Sequence, residues 1–195
     1  MSAEAIFVTT LDTLTITLDN LQSPMHAAGQ LLSDLQFAFG RTLTGATTLT
    51  SSSGEEISIS GGIGTTGSTV STGWGFGTDG SGFSLAFHGP SHTIIGPGPY
   101  TSANPSIGDG GPHNPFIDET ATFTISNSSI TTSTTISSAV FSFGTEAGDN
   151  VTGCVDGSTN CGATVIGGDS PEPLSMFLMG AGLLGIGVLR KFRRG

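Results

Sequence analysis

Positive charge is nearly missing from most of this chain. Residues 1–170 hold a single cation, Arg41, and no lysine, against fourteen carboxylates, for a net charge of −13. Phosphate binding depends on Lys and Arg, so nucleic acid is excluded as a partner. An anionic surface resists self-association and suits a solvent-exposed exported body. Cysteine is also scarce. Cys154 and Cys161 are the only two, and outside the cytoplasm a small disulfide loop is the first reading. Two free thiols are the second; a metal site lacks a nearby histidine. Gly-x-Ser-x-Gly does not occur, which removes the commonest exported-esterase signature. The first ten residues have neither the basic n-region nor the apolar h-region of a secretory leader. An exported chain of this kind is expected to start further upstream, because residues from Ala5 already read as a mature strand.

What is present is threonine, serine and glycine with short alternating apolar patterns. Ala5 to Asn20 sets Leu14, Ile16 and Leu18 on one face and Thr13, Thr15, Thr17 and Asp19 on the other, the period of a half-buried strand. The same pattern recurs at Leu35–Phe37–Phe39, at Phe83–Leu85–Phe87, at Ala121–Phe123–Ile125 and at Phe141–Phe143. Thr47 to Leu49 and Glu55 to Ser60 read as a weaker pair about Ser53-Gly54, with Ile57 and Ile59 inward. Residues 61–82 read as a Gly/Thr/Ser loop that docks Trp74, and residues 96–116, with five prolines, as irregular. A short strand is expected at His92 to Ile95 and an edge strand at Ile130 to Ile136. Short strands at turn-punctuated spacing, with no helical periodicity before the C-terminal tail, predict an all-β fold: an antiparallel β-sandwich-like body with long Gly/Pro-rich loops. No internal repeat points to a solenoid or propeller.

Candidate sites in the body each have a plainer alternative. His88, His92 and His113 lie near Asp109, Asp118 and Glu119. Imidazole and carboxylate bind zinc, but the spacing matches no ligand pattern, and loop packing is the better reading. Asp79-Gly80, Asp109-Gly110 and Asp156-Gly157 lack the ladder of a calcium loop and read as turns. Glu55 and Glu56 are adjacent, as are Asp118 and Glu119, so within a strand each pair splits between faces. Trp74, Phe76 and Tyr100 could form a sugar-stacking platform, but one Trp and one Tyr are sparse for that, and core or loop-docking roles are the better reading. No catalytic residue, metal site or cofactor is assigned.

The one long apolar run is at the C-terminus. Pro171-Glu172-Pro173 precedes sixteen uncharged residues, Leu174 to Leu189, and then Arg190, Lys191, Arg193 and Arg194. Sixteen residues make roughly 24 Å of helix, short of the ~30 Å hydrocarbon core. Snorkelling of the basic side chains extends its reach, and the cations hold the C-terminus on the cytoplasmic side. The two prolines keep Glu172 in an extended, accessible segment. Ala181 and Gly185 form a small-xxx-small pair that lets another helix approach. The expected organisation is a β-rich domain over residues 1–166, a Gly-rich linker over 167–170, and a tail over 171–195 comprising motif 171–173, membrane helix 174–189 and basic end 190–195.

This ordered triple closely resembles the PEP-CTERM sorting signal of certain bacteria, over about an eighth of the chain. The resemblance implies processing by exosortase, a multi-pass membrane enzyme, with Pro171, Glu172 and Pro173 as the recognition region. From about Thr13 to Thr145 the chain also loosely resembles the bodies of PEP-CTERM proteins from environmental bacteria. The residues concerned are Gln30-Leu31-Leu32-Ser33, Gly73-Trp74-Gly75, His92 to Pro97, Gly111 to Phe116 and Phe141 to Thr145; that likeness carries no activity.

The expected function is therefore a non-enzymatic cell-surface or extracellular-matrix protein. It would be held in the inner membrane with its body outside, then lie at the cell surface or outside the cell after processing. A carbohydrate-binding module acting on exopolysaccharide is the alternative, and an exported metal-dependent hydrolase using His88, His92 or His113 with Asp109 is the weaker one.

Overall fold

A computed structural model describes residues 1–79, 82–86, 91–109, 111–145, 149–155 and 163–168, the last two segments by their backbone alone. The tail 171–195, Cys161, His88 and Phe87 lie outside the described residues, as does residue 80 of the expected Asp79-Gly80 turn. So do Asp156-Gly157 and residue 110.

The chain is mostly β-strand. In order it forms β1 (Ala3–Thr10), β2 (Thr13–Asn20), β3 (Leu32–Phe39), β4 (Thr48–Ser60), β5 (Ile63–Val70), β6 (Gly75–Asp79) and β7 (Gly82–Ala86). These are followed by β8 (Ile94–Ile95), β9 (Phe116–Ser126), β10 (Ile136–Phe143), β11 (Asp149–Val155) and β12 (Ala163–Gly168). Helix among the described residues is confined to a 3₁₀ turn at Ala28–Gln30 and one turn, α1 (Pro105–Gly108). No helix of the described residues is long and apolar enough to cross a membrane.

The strands join into one mixed sheet, ordered β5-β4-β9-β2-β1-β12-β11-β10-β3-β7-β6, with β8 bridging β3 and β9. The expected all-antiparallel pairing is corrected by three parallel pairs: β1 with β12, β11 with β12, and β8 with β9. Parallel neighbours need long connections rather than tight turns, and such pairings leave no local signal in the sequence.

Several boundaries also shift. The alternation read as one strand over Ala5 to Asn20 is a hairpin, closed by the two residues Leu11 and Asp12, with Thr10 opposite Thr13. Asp12 takes φ 61°, a conformation that Asp tolerates better than most side chains. The pair expected about Ser53-Gly54 is one long strand, β4, and the glycine-rich stretch after it is mostly strand, with residues 71–74 as the connection that docks Trp74. Gly61 (φ 57°) and Gly62 (φ 74°) close a second two-residue hairpin into β5; positive φ at both positions is the requirement that selects Gly-Gly in such turns. Residues 127–135 turn rather than forming the expected edge strand, with Asn127 Oδ1 accepting from the Ser129 amide and Thr134 Oγ1 from the Thr131 amide. Gly167 and Gly168, expected as linker, belong to β12.

The apolar faces meet in one main cluster. It includes Phe7, Leu14, Ile16 and Leu18 of β1 and β2, Leu35 and Phe37 of β3, Phe123 and Ile125 of β9, and Phe141 of β10. Each fully buried Leu, Ile or Phe contributes about 1.5–3 kcal/mol relative to exposure. A second cluster lies beneath the proline-rich stretch and joins Met25, Leu31, Ile57, Ile59, Ile95, Tyr100, Ile107 and Phe116. The irregular segment 96–116 is thereby fastened to the sheet by its own side chains.

Candidate functional site

Trp74 and Tyr100 are placed as core residues, not as faces of a platform. Trp74 is 4% exposed, lies against Phe123 with ring centroids 5.3 Å apart, and donates from Nε1 to the His92 carbonyl at 2.9 Å. Tyr100 is 5% exposed in the other cluster, and its hydroxyl donates to the Gly96 carbonyl at 3.0 Å. Neither ring offers a face to a sugar, because each face is occupied by packing. Of the three aromatics, Phe76 alone is partly open.

Phe76 instead belongs to a different constellation. Its ring stacks on Phe83 at 5.6 Å with an interplanar angle of 3°, and Phe83 stacks in turn on Phe37 at 5.9 Å. Phe39 meets Phe83 edge-on at 5.6 Å. Neighbouring strands produce this ladder: Phe37 and Phe83 are direct partners between β3 and β7, while Phe76 is diagonal to Phe83 from β6. Beside it the loop after β3 brings Arg41, Thr42 and Leu43. Two adjoining hollows of about 250 and 260 Å³ open here and share Leu43, Thr78 and Phe83. Arg41 lines the first, its guanidinium donating to the Ser129 carbonyl, and Thr47 lines the second. The groove thus combines two stacked rings, several threonine hydroxyls and the only cation of residues 1–170. Phe83 stood in a visible alternation and Arg41 was conspicuous as a lone charge, yet nothing in their spacing tied them to Phe76.

A second cluster is acidic. Gly54 pairs with Ala121 and Glu56 with Ile117, so Asp118, Glu119 and Thr120 of β9 oppose the single residue Glu55. Glu119 occupies φ 57° at this bulge. Adjacency alone suggested that the two carboxylate pairs would split between faces; the bulge brings Asp118, Glu119 and Glu55 within electrostatic reach across strands. Burial, then the Glu119 and Glu55 charges, hold the Asp118 carboxyl above its usual range. Burial, then Asp118 and Glu119, push Tyr100 up to about 12. Glu56 is engaged differently, its Oε2 lying 3.2 Å from His92 Nε2.

His92 sits at φ 69°, with its amide donating to the Pro115 carbonyl and its own carbonyl accepting from Trp74. It therefore holds a loop in place. Asp109 is exposed at the end of α1, and His113 lies on the loop before β9. Among the described residues, no three His, Cys, Asp or Glu side chains converge as ligands for a metal. Cys154 lies on β11, and its expected partner is outside the described residues. No family model, curated protein or solved structure matches the chain.

Proposed function

We propose that this chain is an exported, non-enzymatic surface or matrix protein whose C-terminal segment is a sorting signal read by an exosortase-type membrane enzyme. The observation that carries the reading is the ordered triple at the C-terminus: Pro171-Glu172-Pro173, an uncharged run from Leu174 to Leu189, and the basic residues Arg190, Lys191, Arg193 and Arg194. Before processing, the span lies in the inner membrane with the body outside, as the four cations require. The body itself is taken as a sandwich, its sheet folded over so that β1, β2 and β9 face β3 and β10. Support for that arrangement is the single apolar cluster to which all five contribute. Mass spectrometry of the C-terminus in the producing cell tests the sorting role. The expected mature protein has lost Arg193-Arg194-Gly195, and recovery of an intact end from surface material overturns it.

A second reading is favoured by one specific feature, the Phe76–Phe83 groove. Aromatic faces stack on the apolar faces of sugars, threonine hydroxyls meet sugar hydroxyls, and Arg41 matches an acidic group on the polymer. Binding of an acidic exopolysaccharide is then expected to fall at least tenfold with Arg41→Ala. Trp74 is no probe of this groove, since it is buried and its loss acts on the core. Retention measured by affinity electrophoresis that is equal for the native chain and Arg41→Ala removes this reading.

A further inference from the structure

The strands have two ends, and the described chain leaves the sheet at one of them. β12 runs parallel to β1, with Gly168 opposite Val8. At Gly168 the backbone is therefore heading the same way as β1, toward the turn between β1 and β2. Leu11 in that turn stands three residues past Val8, about 10 Å further along this direction. It is 72% exposed, more than any other large apolar side chain among the described residues.

Three segments are bonded into one surface at this end. The Asp12 amide donates to the Ile130 carbonyl and the Asn127 amide to the Asp12 carbonyl, both at 3.0 Å. Thr9 Oγ1 donates to the Thr134 carbonyl at 3.1 Å, and the Gly40 amide to the Thr135 carbonyl at 2.8 Å. Arg41 reaches the Ser129 carbonyl. Residues 9–14, 40–47 and 127–135 hold two charges, Asp12 and Arg41, which cancel; most of the rest are Thr, Ser and Gly. Asp79 also points to this end of the sheet, but from the outermost strand, β6.

The other end is acidic. Glu4 lies opposite Asp19. Leu18 aligns with Ala121 and Ala121 with Gly54, so Glu55, Glu56, Asp118 and Glu119 all fall beyond that line, away from Leu11. Met1, Leu21 and Ile63, the other exposed large apolar side chains, lie at the acidic end as well. An exposed leucine has no meaning by itself. Leu11 differs because it stands on the neutral end, from which the chain continues to its apolar run.

We propose that this end is the body's seat on the lipid surface, with Leu11 entering the boundary between headgroups and acyl chains and Arg41 meeting lipid phosphate. The inference rests on the reading of Leu174 to Leu189 as a membrane span. Residues 169–173 connect Gly168 to Leu174, and fully extended they reach about 20 Å at most. The projection of Leu11 takes up about 10 Å of that, and the headgroup layer about 6 Å more. The tether thus leaves the turn little clearance. A contact too weak to bind separate molecules is populated here because it is intramolecular. Asp169 and Glu172 lie in the connection itself, so their repulsion from anionic headgroups acts on the tether. The acidic end of the body faces water, where its carboxylates stay hydrated.

The test uses the full chain reconstituted in vesicles of phosphatidylcholine and phosphatidylglycerol. Flotation of the native chain with the vesicles reads the span separately. Leu11→Trp is compared with Ile63→Trp in lipids brominated near the top of their acyl chains, with the buried Trp74 of the native chain as background. Ile63→Trp controls for tryptophan's own preference for the interface. The emission added by Leu11→Trp is expected to shift to the blue and fall by about half, since an interfacial side chain lies roughly 5–10 Å into the boundary. That added by Ile63→Trp is expected to stay unquenched. Equal quenching at the two positions, or none at either, in a chain that floats overturns the seat and leaves the span standing. A chain that does not float overturns both. Should Leu11→Trp lose the native far-ultraviolet dichroism, Thr132→Trp, exposed on the adjoining turn, takes its place with the same expected and overturning results.

Discussion

Tyr100 and Trp74 are the chain's only tyrosine and tryptophan, and both are internal structural members. A tyrosine whose folded pKa is raised favours the folded state while neutral, and that contribution is lost as pH rises from its ordinary value of 10 through the folded value. Titration of the 295 nm absorbance therefore reads one group, and its midpoint in the folded protein is expected near 12. A midpoint at 10 would show that the ring is not held beneath the proline-rich segment. Tyr100→Phe removes the bond to the Gly96 carbonyl, at a cost of about 1 kcal/mol, and should also remove that step of the alkaline loss. Sequence alone favoured docked or core roles for both aromatics without showing what they pack against. A ring in a Gly/Pro-rich stretch looks the same in sequence whether it docks inward or stands out, because its burial depends on strands far away in the chain.

At the scale of elements, period-two alternation located strands well wherever one face is apolar, as with Leu14–Leu18, Leu35–Phe39 and Phe123–Ile125. It failed on β5, which buries nothing and so carries no pattern. The signal that was available there is the Gly61-Gly62 pair. Both glycines hold positive φ, but their surroundings differ: a Cβ on Gly61 meets open space, while one on Gly62 comes within 2.8 Å of the Thr101 Cα. Gly61→Ala is expected to cost about 1–2 kcal/mol from backbone strain alone, and Gly62→Ala clearly more, because main chain must move. Denaturant unfolding of the two variants checks the order. Equal losses would mean that the segment around Thr101 is not seated against the turn. The β9 bulge was equally hidden, since one strand's register says nothing about how many residues its neighbour spends on the same length.

Across the whole molecule, the all-β character follows from composition and alternation, whereas the strand order does not. Parallel pairs β1–β12 and β8–β9 join segments remote in sequence, and only the closed packing of the core decides them. The groove has the same origin: Phe76, Phe83, Leu43 and Arg41 come from three elements that the sheet order brings together. The proposal for the tail, in contrast, needs no long-range packing, because its three parts are consecutive and each has a simple physical meaning.

Strand β12 gives that tail a mechanical setting. Its six residues lie parallel to β1, from Ala3 opposite Ala163 to Val8 opposite Gly168, and it contacts β11 on its other side. Two residues separate Gly168 from Pro171, so under the proposed sorting role an enzyme gripping the Pro-Glu-Pro segment would work within about 10 Å of the folded sheet. A pull applied there along the strand loads the β1–β12 ladder in shear, where its hydrogen bonds resist together instead of unzipping one by one. On that proposal, β12 would let the chain be drawn taut beyond Gly168 without the body coming apart.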